Sequence, residues 1–292
     1  MKYGICYCYW SRDWEGTDYP DKIERARKCG FDVLEIFFGR VLIMQPKEID
    51  NILAACRANN IEMYCVGGFG REQDLSQSDL QGRKIAIEKA KELILAISKI
   101  GAKNISGINY CAWCNFDKPI NKQERLENAA KALNEVGSFA ADYGVSWNME
   151  VVNRFESYLL NTAKEGRALA DAAWSPQINL LLDTFHGMVE EDDLAGAILT
   201  AGDKLGHYHV GSNNRNLPRE GGFLPWAGIG QALRTIGYNK CVSFEPLVHT
   251  GGTVAEDGGS VWRPMLPENV TDAMMDDMLM ESLRFIKQNF EA

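Results

Sequence analysis

No stretch of this 292-residue chain approaches the roughly 18 consecutive apolar residues that a membrane span requires. Positive charge is in short supply. Thirty-one Lys and Arg face 40 Asp and Glu, a formal net charge of −9. Such a surface repels phosphate backbones, so neither nucleic acid nor an anionic membrane is an expected partner. Only four histidines occur, too few for a His-rich trinuclear zinc site. The opening MKYGICYCYW has one lysine and no long apolar run, so no signal peptide is expected. Low-complexity tracts and sequence repeats are missing. The first apolar run is not followed by a glycine-rich GxGxxG loop, which removes the usual dinucleotide-binding signal.

What is present is a large apolar fraction, 46%, enough for a substantial core, with 24% charged residues to cover it. Eight cysteines are scattered over the chain rather than packed into a small scaffold. That usage predicts reduced thiols in a cytoplasmic protein. Short apolar runs alternate with segments of helical spacing. Runs at 3–9, 33–38, 61–66, 104–108, 145–150, 178–183, 205–210 and 241–245 read as strands. Helical segments follow each, the last at 272–290, and Gly101, Gly144, Gly202 and Gly237 punctuate their ends. Thr162 reads as an N-cap. Strand six, INLLLD, is almost continuously apolar, as a parallel strand buried on both faces should be. Eight strand–helix units without a linker predict an α/β fold, a closed (β/α)8 TIM barrel, forming a single domain over residues 1–292.

Barrel chemistry sits at the C-terminal strand ends. Four consecutive strands end in a metal-ligand type: Glu150 in NME, Asp183 in LLLD, His209 in HYHV and Glu245 in SFEP. Each alone reads equally as a helix cap, a salt-bridge partner or a solvated group. Together they carry more weight. Neighbouring strands lie about 4.8 Å apart, so the four side chains can converge. Three carboxylates in one small space repel unless one protonates or a cation joins them. Oxygen-rich donors with one imidazole suit Mn²⁺, Mg²⁺, Co²⁺ or Zn²⁺. His186, Arg215 and Glu156 follow strands six, seven and five, where their loops would ring the same mouth. His186 and Arg215 are suitable donors to sugar hydroxyls or to an oxyanion. Arg215 reads alternatively as a surface ion pair, and Glu156 as a cap. His207 lies one layer deeper than His209 on the same strand face, a packed or supporting position. Trp10, Phe37 and Trp113 follow early strands and read either as walls of the pocket or as plain core material. Cys111 and Cys114 spell CxxC without a second pair and read as part of a substrate-side loop.

The segments YGICYCYW, GFDVLEI, MEVVNRFESYLLNTAKEG, LLLDTFHGMVEEDDLAGAI, GHYHVGSNNR, LPWAGIGQAL and FEPLVHTGGT resemble the ketose 3-epimerases, the D-psicose (D-allulose) and D-tagatose 3-epimerases among the xylose-isomerase-like barrels. The resemblance spans the whole chain. It implies that Glu150, Asp183, His209 and Glu245 hold a divalent metal, Mn²⁺ first, with Co²⁺ or Mg²⁺ as alternatives. It implies that Glu150 and Glu245 are the acid/base pair, and that Glu156, His186 and Arg215 hold a ketose near its carbonyl. Trp113 is expected beside the same substrate. It further implies a homodimer or homotetramer. The turn HVGS and residues 39–45 and 67–71 depart from the family pattern. The expected reaction inverts C3 of a ketohexose through an enediolate. Aldose–ketose isomerisation, dehydration and β-elimination are alternatives on the same site, and a DNA-repair nuclease or a non-catalytic sugar binder are weaker ones.

Overall fold

A computed structural model describes residues 1–257 and 260–292 in full. Eight parallel strands close into one barrel in chain order: β1 (Lys2–Cys6), β2 (Val33–Phe37), β3 (Glu62–Phe69), β4 (Asn104–Ala112), β5 (Ser146–Val151), β6 (Ile178–Asp183), β7 (Leu205–Val210) and β8 (Cys241–Phe244). β8 pairs back onto β1 from Lys2↔Cys241 to Ile5↔Phe244, so no strand edge is left open. The expected TIM barrel is borne out. Helices at Tyr19–Lys28, Pro46–Asn59, Leu80–Lys99, Lys122–Tyr143, Ala163–Ala172, Leu194–Ala201, Trp226–Thr235 and Asp272–Phe290 cover the outside.

The local chemistry explains the helix starts. Side chains of Asp79, Asn121, Thr162, Asp193 and Thr271 each accept a backbone N–H in the first turn of the following helix. Each such cap is worth about 1 kcal/mol. The outer core lies between strand side chains and helix stripes such as Ala86, Ala90, Leu93 and Ile97, all fully buried. No helix among the described residues is long and apolar enough to cross a membrane.

Five expectations from the sequence need correction. The first strand ends at Cys6, and Tyr7–Tyr9 is a 3-10 turn in which the Tyr7 hydroxyl donates to Asp18 and the Tyr9 hydroxyl to the Met275 carbonyl. The third strand does not stop at 66, before Gly67-Gly68, but runs to Phe69, and the fourth runs to Ala112 rather than 108. The two extensions depend on each other, because Gly67 pairs with Gly107. A Cβ on Gly107 would lie 2.0 Å from the Gly67 carbonyl oxygen, and the residue sits at φ +119°. Only glycine at position 107 allows the two backbones to approach this closely, while a Cβ on Gly67 would run into the Phe37 and Phe38 rings. Short helices at Phe38–Val41 and Thr184–Glu190 fall where loops were expected, so His186 stands on a helix. Trp10 does not face the pocket, since its indole donates to Asp276 at 3.2 Å beneath the Arg25 guanidinium.

Gly107→Ala should destabilise the fold by roughly 3 kcal/mol or more, through steric clash added to backbone strain. Gly144→Ala is the control. Gly144 has φ +61° but open space around it, so the cost should be about 1 kcal/mol. Urea unfolding of both variants measures the difference.

Candidate metal centre

Four strands bring one donor each to the same point. Glu150 is the penultimate residue of β5, Asp183 the last of β6, His209 the penultimate of β7, and Glu245 follows β8 directly. Asp183 and His209 are register partners across β6 and β7. Ligand atoms of all four lie within 4.8 Å of one another, and all four residues are buried. His209 Nδ1 is 3.4 Å from Glu245 Oε2 and 4.0 Å from Asp183 Oδ2. That nitrogen has no hydrogen-bond partner among the described residues. A buried, unpaired nitrogen aimed at carboxylate oxygens, with a second glutamate alongside, is the donor set of a hard divalent cation. The residues present therefore fit a metal ion.

The carboxylates feel opposite environments. Burial pushes the Glu150 carboxyl above its ordinary value, and contact with His186 only partly offsets it. Burial acts on Glu245 in the same direction, but His209 and then Arg215 outweigh it and hold its carboxyl down at about 2. Arg215 is the cation of the site. Its Nη1 donates to Asp183 at 3.0 Å and to Glu245 at 2.5 Å, and its guanidinium lies over the Phe185 ring at 4.3 Å. Burial disfavours its charge, yet Glu245 and Asp183 overcome this and keep it protonated. Arg215 has φ +59°, a left-handed conformation costly for a side chain with a Cβ. The turn holds it through Arg215 N–H to Ser212 O and Leu247 N–H to Arg215 O.

His186 sits in the first turn of the helix Thr184–Glu190, which Asp183 caps by accepting the Phe185 N–H at 2.7 Å. Its Nδ1 accepts the Asn153 backbone N–H at 3.3 Å. Its Nε2 lies between an acceptor, Glu150 Oε1 at 3.4 Å, and a donor, Arg215 Nη2 at 3.1 Å. Glu156 is held from two sides. The Trp113 indole donates to one of its oxygens at 3.0 Å and the Asn153 amide to the other at 3.1 Å. Glu150, Glu245, His186, Arg215, Glu156 and Trp113 line one cavity of about 620 Å³, which also takes in Phe37, Trp14 and Leu247.

The structure thus brings together Glu150, Asp183, His209, Glu245, His186, Arg215, Glu156 and Trp113, with Phe37 on the wall. Cys114 is exposed and Cys111 buried beside Ser157, and all eight cysteines are free thiols. Two neighbours escaped the sequence reading. Asn153 lies inside MEVVNRFESYLLNTAKEG, where an asparagine after a strand carries no signal of its own. Glu35 is fully buried on β2, with its carboxylate against His207 and His209. The one available signal was a charged residue in the middle of the apolar run VLEIFF.

The chain belongs to the xylose isomerase-like TIM barrel family, whose pattern matches residues 23–265, and within it to the ketose 3-epimerases. It is 38% identical over 292 residues to the D-psicose 3-epimerase of Ruminiclostridium cellulolyticum, covering 100% of this chain and 98% of that protein. It is 34% identical over 286 residues to the D-psicose 3-epimerase of Agrobacterium fabrum, with 98% of each covered. The crystal structure of D-psicose 3-epimerase with D-tagatose from Clostridium cellulolyticum H10 superposes with a TM-score of 0.95 over 100% of both chains, at 38% identity. The resemblance read from the NRFE, DTFH and FEP segments is borne out.

A cation that binds only the folded site must stabilise it. At a concentration 100 times its dissociation constant, Mn²⁺ should add about 2.7 kcal/mol to chelator-stripped protein. Asp183→Asn should remove most of that gain. The raised Glu150 carboxyl binds a proton that competes with the ion, so the gain should shrink as pH falls toward that pKa. Thermal unfolding with and without Mn²⁺, at mildly acid and mildly alkaline pH, checks both.

Proposed function

We propose that this chain is a metal-dependent ketose 3-epimerase of the D-psicose/D-allulose or D-tagatose type, one domain over residues 1–292. The observation that carries the reading is the pair Glu150 and Glu245. They stand on strands separated by those of Asp183 and His209, with all four donors within 4.8 Å, at one cavity. A divalent ion held by Glu150, Asp183, His209 and Glu245, Mn²⁺ first with Co²⁺ or Mg²⁺ as alternatives, would supply the Lewis acidity that makes the proton on C3, beside the ketone, removable.

The protein's own groups supply the rest. Inversion at C3 requires one group to take the proton from one face and another to return a proton to the opposite face. Glu150 and Glu245 are the two carboxylates available, and each exchanges roles when the reaction runs backwards. Their surroundings push their proton affinities apart, Glu150 upward and Glu245 downward, the pattern of an acid/base pair. His186 and Arg215 provide N–H donors for oxygens near the carbonyl, where negative charge develops as the enediolate forms. Glu156, fixed by Trp113 and Asn153, accepts from a sugar hydroxyl. Trp113 and Phe37 give the apolar wall that a sugar's C–H faces need and keep water from competing. The same reading carries a cytoplasmic setting, which suits eight free thiols. It also carries a homodimer or homotetramer, for which the exposed Trp174, Phe223 and Trp262 offer apolar surface.

Purified enzyme with Mn²⁺, tested on D-fructose, D-psicose, D-tagatose and D-sorbose, should interconvert C3 epimers. The C3 proton should exchange with solvent in D₂O. Glu245→Gln and Glu150→Gln should each lower kcat by roughly 10²–10⁴-fold in folded protein. Near-normal turnover in either would remove it from the proton relay. An aldose or an unsaturated product in place of the C3 epimer would assign the site to isomerisation, dehydration or β-elimination.

A further inference from the structure

Below the four donors lies a second cluster. Glu35 enters the barrel interior from β2 and reaches across to β7, with no solvent exposure at Glu35, His207 or His209. Its two oxygens serve different rings. Oε1 is 2.5 Å from His207 Nε2, a hydrogen bond that fixes the plane of the carboxylate. Oε2 is 3.2 Å from His209 Nε2. That second contact falls short of hydrogen-bond alignment, and both atoms lack any other partner among the described residues. Each is therefore the group left to satisfy the other, and a small rotation of the His209 ring closes the bond. A carboxylate can only accept, so the partner nitrogen must carry the proton. With Nε2–H turned to Glu35, Nδ1 is the nitrogen that faces Glu245 and Asp183, 3.4 and 4.0 Å away, and its lone pair becomes available to a cation that displaces its proton.

We infer that Glu35 is a positioning residue that aims His209 Nδ1 into the donor set, with His207 clamping Glu35 from the other side. The inference rests on the metal site of the proposed function but concerns a residue outside it. The three buried residues could themselves be taken for a second cation site. Glu35 and His207 already form a direct hydrogen bond, and the other nitrogen of His209 faces Glu245 and Asp183, so the cluster reads as a support under the site. Metal-bound histidines commonly donate their second N–H to such a carboxylate, and loss of that partner weakens metal affinity by roughly 10- to 100-fold.

The test titrates Mn²⁺ calorimetrically into chelator-stripped wild type, Glu35→Gln and His207→Gln, after circular dichroism shows each to be folded. Glu35→Gln should raise the Mn²⁺ dissociation constant roughly 10- to 100-fold. Once Mn²⁺ is saturating, KM for the ketose should stay near wild type. His207→Gln should show a smaller loss, since Glu35 remains but is less firmly held. If Glu35→Gln does not fold, an unchanged dissociation constant in folded His207→Gln overturns the proposal. A folded Glu35→Gln that binds Mn²⁺ like wild type overturns it directly. Wild type that binds no divalent ion overturns the metal centre itself, whereas Mn²⁺ binding without epimerase activity overturns only the assigned reaction.

Discussion

Three carboxylates, Glu150, Asp183 and Glu245, are buried within a few ångströms of each other at one end of the barrel, and their mutual repulsion is the constraint around which the site is organised. In a low-dielectric interior like charges at this spacing cannot all stay ionised without compensation. The chain answers with Arg215, whose guanidinium bridges Asp183 and Glu245, and with the His209 imidazole. The compensation is uneven. Asp183 and Glu245 accept bonds from the arginine, while Glu150 accepts none from it; His186 and His209 offset its burial only in part, and its carboxyl rises. An electrostatic imbalance built to hold anions together is thereby also a difference in proton affinity between two carboxylates.

Backbone features follow from the same demand. Arg215 reaches the carboxylates from a left-handed residue that the turn after β7 holds by two main-chain hydrogen bonds. Strain of this kind persists where surrounding contacts over-determine the conformation. On the far side of the cavity the Gly67–Gly107 approach lets β3 and β4 run past the barrel rim. Their extensions carry Phe69 and Ala112 outward, and Trp113 comes to rest against Gly68 and bonds to Glu156.

Most of the barrel could be read from the chain because fully buried parallel strands leave an apolar signature, of which INLLLD is the clearest. The four donors were legible for a related reason. Each is polar at the end of such a run, and adjacent strands allow few separations between them. Other features left no such trace. The extension of β3 through Gly67-Gly68 ran against the usual meaning of paired glycines, since the reason lies in Gly107, 40 residues away. The helix at Thr184–Glu190 is set by an Asp183 cap that sequence alone assigns to metal binding. Glu35 sits mid-strand, where a charge has meaning only once β2 and β7 are known to face each other across the interior.

Asp183 has two oxygens and two commitments. Oδ1 caps the helix that carries His186, and Oδ2 faces His209 and Arg215. The strand end, the helix start and the imidazole on its first turn are therefore one mechanical bracket with a single carboxylate as its rivet. A lineage drifting toward a new sugar could reshape the aromatic wall freely. It could not shift His186 without disturbing the ion's seat, so recognition at the carbonyl end and cation affinity are bound to evolve together.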